Sequence, residues 1–253
     1  MVKFTEAQLL TWITPALWPF LRTLALFSSL PVLGTRTVPM RVRIALSALV
    51  ALAAQVSLPT MPVVPLDSPQ AFVLVAQQVV IGLTLGFSVR VVFAAIEFAG
   101  EFVGLQMGLN FAGFFDPVSA SAGTATGRFY GTMVAWLFVV INGHLLVLAA
   151  LLQSFVAFPV GPEPFAFLRQ TLPHVWGAEI FRVGLWIALP MIAMLLFVNL
   201  VLGVISRVAS QINIFAIGFP VTLGVGLIGT LVSLPLLQTP FTMALERLLA
   251  QFG

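Results

Sequence analysis

The sequence predicts an all-α, polytopic membrane protein of about six long hydrophobic helices, some bent and some paired into hairpins. Three observations carry this. Asp, Glu, Lys and Arg are absent from Ile44–Leu66, Ser68–Val89, Phe129–Pro162, Val183–Ser206 and Val208–Leu245. Each of these stretches reaches the roughly 20 apolar residues that a helix needs to cross a hydrocarbon core about 30 Å thick. Charged residues are 8% of the chain and hydrophobic residues 60%, with a mean hydropathy of +1.12, against about 25% and about 45–50% in soluble domains. Pro190, Pro235 and Pro240 stand inside the bare stretches, a placement tolerated in membrane helices whose neighbours satisfy the freed carbonyls.

The first helix is expected over Leu9–Leu33, with Arg22 inside it, and the second over Val42–Leu58, ended by Pro59, Pro62 and Pro65, since proline lacks a backbone donor and clashes with the turn before it. The third, Pro69–Gly104, is too long for one straight crossing, so its C-terminal part should tilt, bend or leave the bilayer. The fourth covers Arg128–Val156 and holds the turn-like Asn142-Gly143-His144. A Pro/Gly loop (Pro159, Gly161, Pro162, Pro164) separates it from the fifth, Ala178–Val208, and the sixth is Pro220–Leu249. Six arginines (Arg36, Arg41, Arg43, Arg90, Arg128, Arg207) fall on one side of alternating spans and four basic residues (Lys3, Arg169, Arg182, Arg247) on the other. Basic loops stay in the cytoplasm, which places both termini on the outer side. The start of the chain carries no small-residue cleavage site of a signal peptide.

Several chemistries are excluded. The net charge is +3, but no basic stripe with interleaved aromatics points to nucleic acid. There are no cysteines, hence no disulfide, thiolate site or cysteine nucleophile. His144 and His174 form no i, i+4 metal pair, Asp67 and Asp116 are the only aspartates, and Ser119 and Ser121 lie outside any nucleophile elbow. No enzyme, metal or cofactor is expected.

Four features remain. Gly82-Leu-Thr-Leu-Gly86 and Gly100-x-x-x-Gly104-x-x-x-Gly108 put glycines on one helical face, which suits close helix packing within the bundle or against other subunits. Arg90, Glu97 and Glu101 fall within roughly 40° of one another around the third helix. Charges in a membrane bundle are functional-site hypotheses by default; these either reach water or pair with a neighbouring subunit. Leu109, Asn110, Phe111, Ala112, Gly113, Phe114, Phe115, Asp116 and Pro117, followed by a Ser/Ala/Gly/Thr run to Gly123, make a loop with an apolar end and a small, pliable end. Irregular backbone at membrane depth is tolerated only inside protein or along a cavity, so the loop suits the lining or filling of a pore. Finally, Arg207, Gln211, Asn213 and Gly218 mark the polar tip of a helical hairpin, with Gly218 and Pro220 punctuating the chain.

Motifs along nearly the whole chain are similar to the FliR family of flagellar export proteins, whose virulence-system relatives are called SctT. They are Trp18-Pro19-Phe20-x-Arg22 with Pro31, Val38-Pro39-x-Arg41-Val-Arg43, Gly100-Glu-Phe-Val-Gly-Leu-Gln-Met-Gly-Leu-Asn-Phe-Ala112 with Asp116-Pro117, Asn142-Gly-His144, Phe158-Pro-Val-Gly161, and Arg207–Pro220. Ser210 departs from the family, many members having proline there. The resemblance implies one export-gate domain over 1–253, with a FliP-like part at about 1–158 and a FliQ-like hairpin at about 178–253. It further implies assembly with FliP and FliQ homologues, attachment of FlhB and FlhA homologues, passage of unfolded substrates across the bacterial inner membrane, a loop at 109–123 plugging the pore, and a cytoplasmic hairpin tip. The match at Gly100–Ala112 leans towards a flagellar system. The rival reading is a secondary transporter for small solutes, which would need charged midplane sites and paired half-helices; Arg90, Glu97 and Glu101 are its only candidates.

Overall fold

A computed structural model describes residues 6–35, 37–65, 67–109, 124–161, 163, 165–209 and 214–253. Among them every regular element is helical: α1 Glu6–Ser29, α2 Met40–Ala54, α3 Pro69–Gln106, α4 Ala125–Val140, α5 Gly143–Ala157, α6 Ala166–Thr171, α7 Trp176–Val208, α8 Ile214–Ser233 and α9 Gln238–Leu249, with short 3-10 turns at Pro173–Val175, Leu234–Leu237 and Ala250–Phe252. Among the described residues three stretches are long and apolar enough to cross a membrane: Pro69–Gln106, Ala166–Val208 and Ala216–Phe252; α4 and α5 make a fourth if the broken pair counts as one span.

All six expected stretches are helical, but two are not single rods and one is short. α2 has 15 residues, about 22 Å of helix, less than a hydrocarbon core; it stops at Gln55, before the proline run. The fourth stretch breaks at Asn142, whose φ of 57° and ψ of 32° lie in the left-handed region that asparagine visits more readily than other side-chain-bearing residues. The sixth breaks at Leu234–Leu237, where Pro235 opens a 3-10 turn. α3, with no internal proline, runs unbroken for 38 residues, about 57 Å. It ends where Gly108 takes a φ of 80°, the left-handed turn that glycine makes without steric cost.

The chain forms two compact units. The first takes residues up to Arg90, Asn142–Trp176 and Leu245–Gly253; the second takes Val91–Ile141 and Gly177–Ala244. In the first, α1 packs on α2 and on the start of α3. Gly82 lies against the Arg22 carbonyl and Ala25, and Gly86 against Ser29 and Leu26, so this glycine pair brings two backbones of the same chain together. Trp18, Leu26, Ile81, Leu85, Phe155 and Phe252 are buried there. Trp176 stacks on Phe87 at 6.1 Å and meets Phe252 edge-on at 6.0 Å, while its indole N–H donates to Gln251 Oε1 at 3.0 Å. In the second unit Phe93 sits edge-on to Phe138 and Phe241, at 5.6 and 5.8 Å. Gly100 and Gly104 lie against Tyr130, Thr126 and Thr124, so the second glycine series also packs within the chain. Gly184 admits α7 to α3 at Ala95 and Phe98.

Candidate functional site

The charged face of α3 meets α4. Thr124 caps α4, its hydroxyl accepting from Gly127 N–H at 3.0 Å. The Thr124 N–H, one of the donors a helix start leaves free, donates to Glu101 Oε1 at 2.9 Å. Two glycines of α4 make room for the carboxylates. A Cβ on Gly131 would stand 2.9 Å from Glu97 Oε1, and one on Gly127 would stand 2.7 Å from Glu101 Cδ. Glu97 faces Gly131 and Glu101 faces Gly127, so the two helices run antiparallel, each carboxylate over a bare patch of backbone. Glu97 is exposed and Glu101 half-buried. The ion pairs among the described residues are Glu163 with Arg169 and Glu179 with Arg182; neither involves this pair of carboxylates. Arg90 is exposed and belongs to the first unit. Glu97 and Glu101 therefore share a face as the spacing predicts, and Arg90 is not joined to them.

Leu109 is half-buried against a cluster of Val103, Met107, Met191 and Leu195. Asn110, Phe111, Ala112, Gly113, Phe114, Phe115, Asp116 and Pro117 lie outside the described residues, as do Gln211 and Asn213. Arg207 is exposed in the last turn of α7. Gly218 is buried inside α8, where its carbonyl accepts from the Thr222 hydroxyl at 3.1 Å. Helix α8 begins at Ile214, so Gly218 and Pro220 stand within the helix and not in the turn before it. Among the described residues no three His, Asp or Glu side chains are grouped to hold a metal ion.

Sequence reasoning left Arg22 without a role, and the structure gives it one. Arg22 is fully buried in the first unit. Its Nε donates to Gln78 Oε1 at 2.8 Å, Nη1 to Ser154 O at 2.7 Å and Ser154 Oγ at 2.9 Å, and Nη2 to Phe158 O at 3.0 Å. The guanidinium lies 3.7 Å from the centre of the Phe155 ring, a cation–π contact. Gln78 Nε2 donates to Gln77 Oε1 at 3.1 Å, and Gln77 Nε2 to Pro159 O at 3.3 Å. One arginine thus binds α1, α3 and the end of α5 through a polar network inside an apolar bundle. A cavity of about 210 Å³ opens beside it, lined by Gln77, Phe158, Gly161, Glu163 and Gln170 among others. The signal was present: a lone arginine in an apolar span demands partners, and Gln77-Gln78 are neighbouring amides in another uncharged span.

Residues 13–248 match the family model described as bacterial export proteins, family 1. The chain belongs to that family. Among relatives of the bacterial export proteins, it is 43% identical over 244 residues to the flagellar biosynthetic protein FliR of Escherichia coli K12, covering 95% of this chain and 92% of that protein. It is 41% identical to FliR of Pectobacterium carotovorum over the same shares of both chains. It is 30% identical to FliR of Aquifex aeolicus, over 94% of this chain and 90% of that one. A bacterial export protein of this kind, with three or four apolar spans among its described residues, is a multi-pass membrane protein.

Proposed function

We propose that the chain is a core subunit of the flagellar type III export gate in the bacterial inner membrane, where it helps form the pore for unfolded substrates. The observation that carries this reading is the match to flagellar biosynthetic FliR proteins along 95% of the chain. Its partners are FliP and FliQ homologues in one hetero-oligomer, with FlhB and FlhA homologues attached; residues 1–158 form the FliP-like part and 178–253 the FliQ-like hairpin. Surface chemistry supports a partnered state. Only 17% of the most apolar window of Ala166–Val208, and 22% of that of Ala216–Phe252, is buried within the chain, so lipid and sister subunits cover the rest. Arg90, Glu97 and Glu101 pair across subunits, a role consistent with carboxylates that have no cationic partner among the described residues. Arg207, Gln211 and Asn213 face the cytoplasm, and both termini face the periplasm.

The loop Leu109–Gly123 closes the pore: its phenylalanines seal against apolar walls, and its small-residue half lets it move aside. In a complex assembled with the partner subunits, deleting Asn110–Asp116, or shrinking Phe111, Phe114 and Phe115, raises ion leakage while the yield of complex stays at the parental level. An assembled deletion complex as tight as the parent places the barrier in the partner subunits and overturns the plug.

A further inference from the structure

The turn after α5 is held by side chains from other helices. The Phe158 carbonyl accepts from Arg22 at 3.0 Å and the Pro159 carbonyl from Gln77 Nε2 at 3.3 Å, while the Gly161 N–H donates to Gln77 Oε1 at 3.4 Å. Held this way, the turn forms one wall of the cavity of about 210 Å³; Gln77 and Ile81 of α3 and Ala166, Phe167 and Gln170 of α6 form others. The Phe158 and Phe167 rings meet edge-on at 6.0 Å. Gln77 is only 3% exposed. Its amide carries two N–H donors; one goes to Pro159 O, and the second has no partner among the described residues. Sites that take whole small ligands measure about 300–1,000 Å³, so this smaller cavity, with two rings and one free buried donor, suits a single side chain.

We propose that this cavity receives a tyrosine side chain presented by a different polypeptide, the phenol oxygen accepting from Gln77. Leucine or phenylalanine would cover the free N–H and offer it nothing, and tryptophan carries a donor only. Tyrosine joins a ring, which packs edge-on or offset against Phe158 and Phe167, to an oxygen that both accepts and donates. Its hydroxyl hydrogen also has acceptors in the lining, since Phe158 O and Pro159 O each accept one bond and keep a lone pair. A site that hydrogen-bonds a hydroxyl rejects the analogue without one, because the site's own polar group is then buried unpaired. The source is another protein. The chain has one tyrosine, Tyr130, which is 2% exposed, so neither this chain nor a second copy supplies the side chain. Phe165 and Leu168, sequence neighbours of the lining residues Ala166 and Phe167, are exposed, as are Glu163 and Gln170. Such a mixture of apolar and polar contacts rings a buried anchor at a protein interface. The contact lies beyond the gate reading and is tested without it.

The test uses the full chain purified in detergent, with Gln170→Cys as the reporter. The chain has no cysteine of its own, and Gln170 stands exposed in the lining. The rate at which a maleimide labels this cysteine is read against added N-acetyltyrosine amide and N-acetylphenylalanine amide. The tyrosine amide slows labelling at about one tenth of the concentration that the phenylalanine amide needs, the ratio that one neutral hydrogen bond supports. Ala166→Leu, which fills the cavity from its own wall, abolishes the protection. Equal protection by the two amides, no protection by either, or protection that survives Ala166→Leu overturns the proposal. If Ala166→Leu does not fold, Gly161→Leu takes its place, the nearest atom to a Cβ there being Pro159 O at 3.9 Å. The comparison of the two amides on the reporter protein decides by itself if neither variant folds. Protection on reconstitution into phosphatidylcholine vesicles, with no amide present, makes the occupant a lipid and overturns the proposal as well. No readout here needs the partner subunits, so failure of the tyrosine site and failure of the gate reading are separate results.

Discussion

The two compact units handle polarity in opposite ways. In the first, polar groups are turned inward and answer one another: Arg22 spends its donors on Gln78, Ser154 and Phe158 O, and Gln77 holds Pro159 O. In the second, the interior is phenylalanine and methionine set against small residues, and the carboxylates of Glu97 and Glu101 stand at or near the surface. Buried polar networks with every member satisfied specify one arrangement and resist rearrangement. Apolar packing of methionine on glycine is directionless, and it tolerates sliding. The contrast teaches that directional hydrogen bonds fix the interior of the first unit, whereas shape alone fills that of the second.

The largest expected effect comes from breaking the first unit from inside. Arg22→Ala leaves Gln78, Ser154 O and Phe158 O buried without their donor and removes the contact with Phe155. Losing charge-assisted hydrogen bonds of this number costs about 3 kcal/mol or more. Arg22→Lys keeps the charge but not the planar fork, and should fall between alanine and the parent. Thermal unfolding in detergent reads both. An Arg22→Ala protein as stable as the parent would mean the network is incidental and would remove the contrast.

The second unit should be most sensitive on its outside. Leu189 is 54% exposed near the middle of α7, on a surface proposed to meet lipid or a sister subunit. Arginine there meets an apolar surround at a cost of about 2.5–3.5 kcal/mol. Leu189→Arg should lower the membrane-integrated, assembled fraction without changing packing inside the unit. Unchanged assembly would show that this face meets water.

A smaller effect separates the two roles open to Glu101. Its carboxylate accepts from the Thr124 N–H, a helix-cap contact, and it is also proposed to pair with a neighbouring subunit. Glu101→Ala loses both, with a cost of about 1–3 kcal/mol for the orphaned donor. Glu101→Gln keeps an acceptor for Thr124 and loses only the charge. Complex yields that fall for Ala and Gln alike point to an ion pair between subunits, whereas a fall for Ala alone leaves Glu101 as a cap within the chain.

How far the sequence could be read follows the same division. Long uncharged stretches announce helices because nothing else buries so much apolar side chain with its backbone satisfied, and five stretches were legible on that ground. Their interruptions were legible only where local chemistry made them so: Asn142-Gly143 signalled its break, and Pro235 could have signalled another, yet α2 stops short of the prolines for a reason no local residue carries. The shared face of Glu97 and Glu101 followed from helical spacing alone. Gly127 and Gly131, which receive those carboxylates, stayed hidden because an i, i+4 glycine pair does not say what lies across from it. Arg22 was visible as an oddity but its partners were not, since Gln78 and Ser154 are 56 and 132 residues away in sequence.

The smallest expected effect on the protein is also the sharpest test of which way its second unit faces. The chain has no cysteine, so a single Ser210→Cys substitution reports one position only. Ser210 follows α7, whose last turn carries the exposed Arg207, and the distribution of basic residues puts this turn with the cytoplasmic arginines. Serine and cysteine differ by a single atom, oxygen for sulfur, so complex yield should match the parent. A membrane-impermeant maleimide should label inverted membrane vesicles and spare intact cells whose outer membrane alone has been opened. If the intact cells label and the inverted vesicles do not, the hairpin points to the periplasm. The proposed placement of the termini then reverses with it.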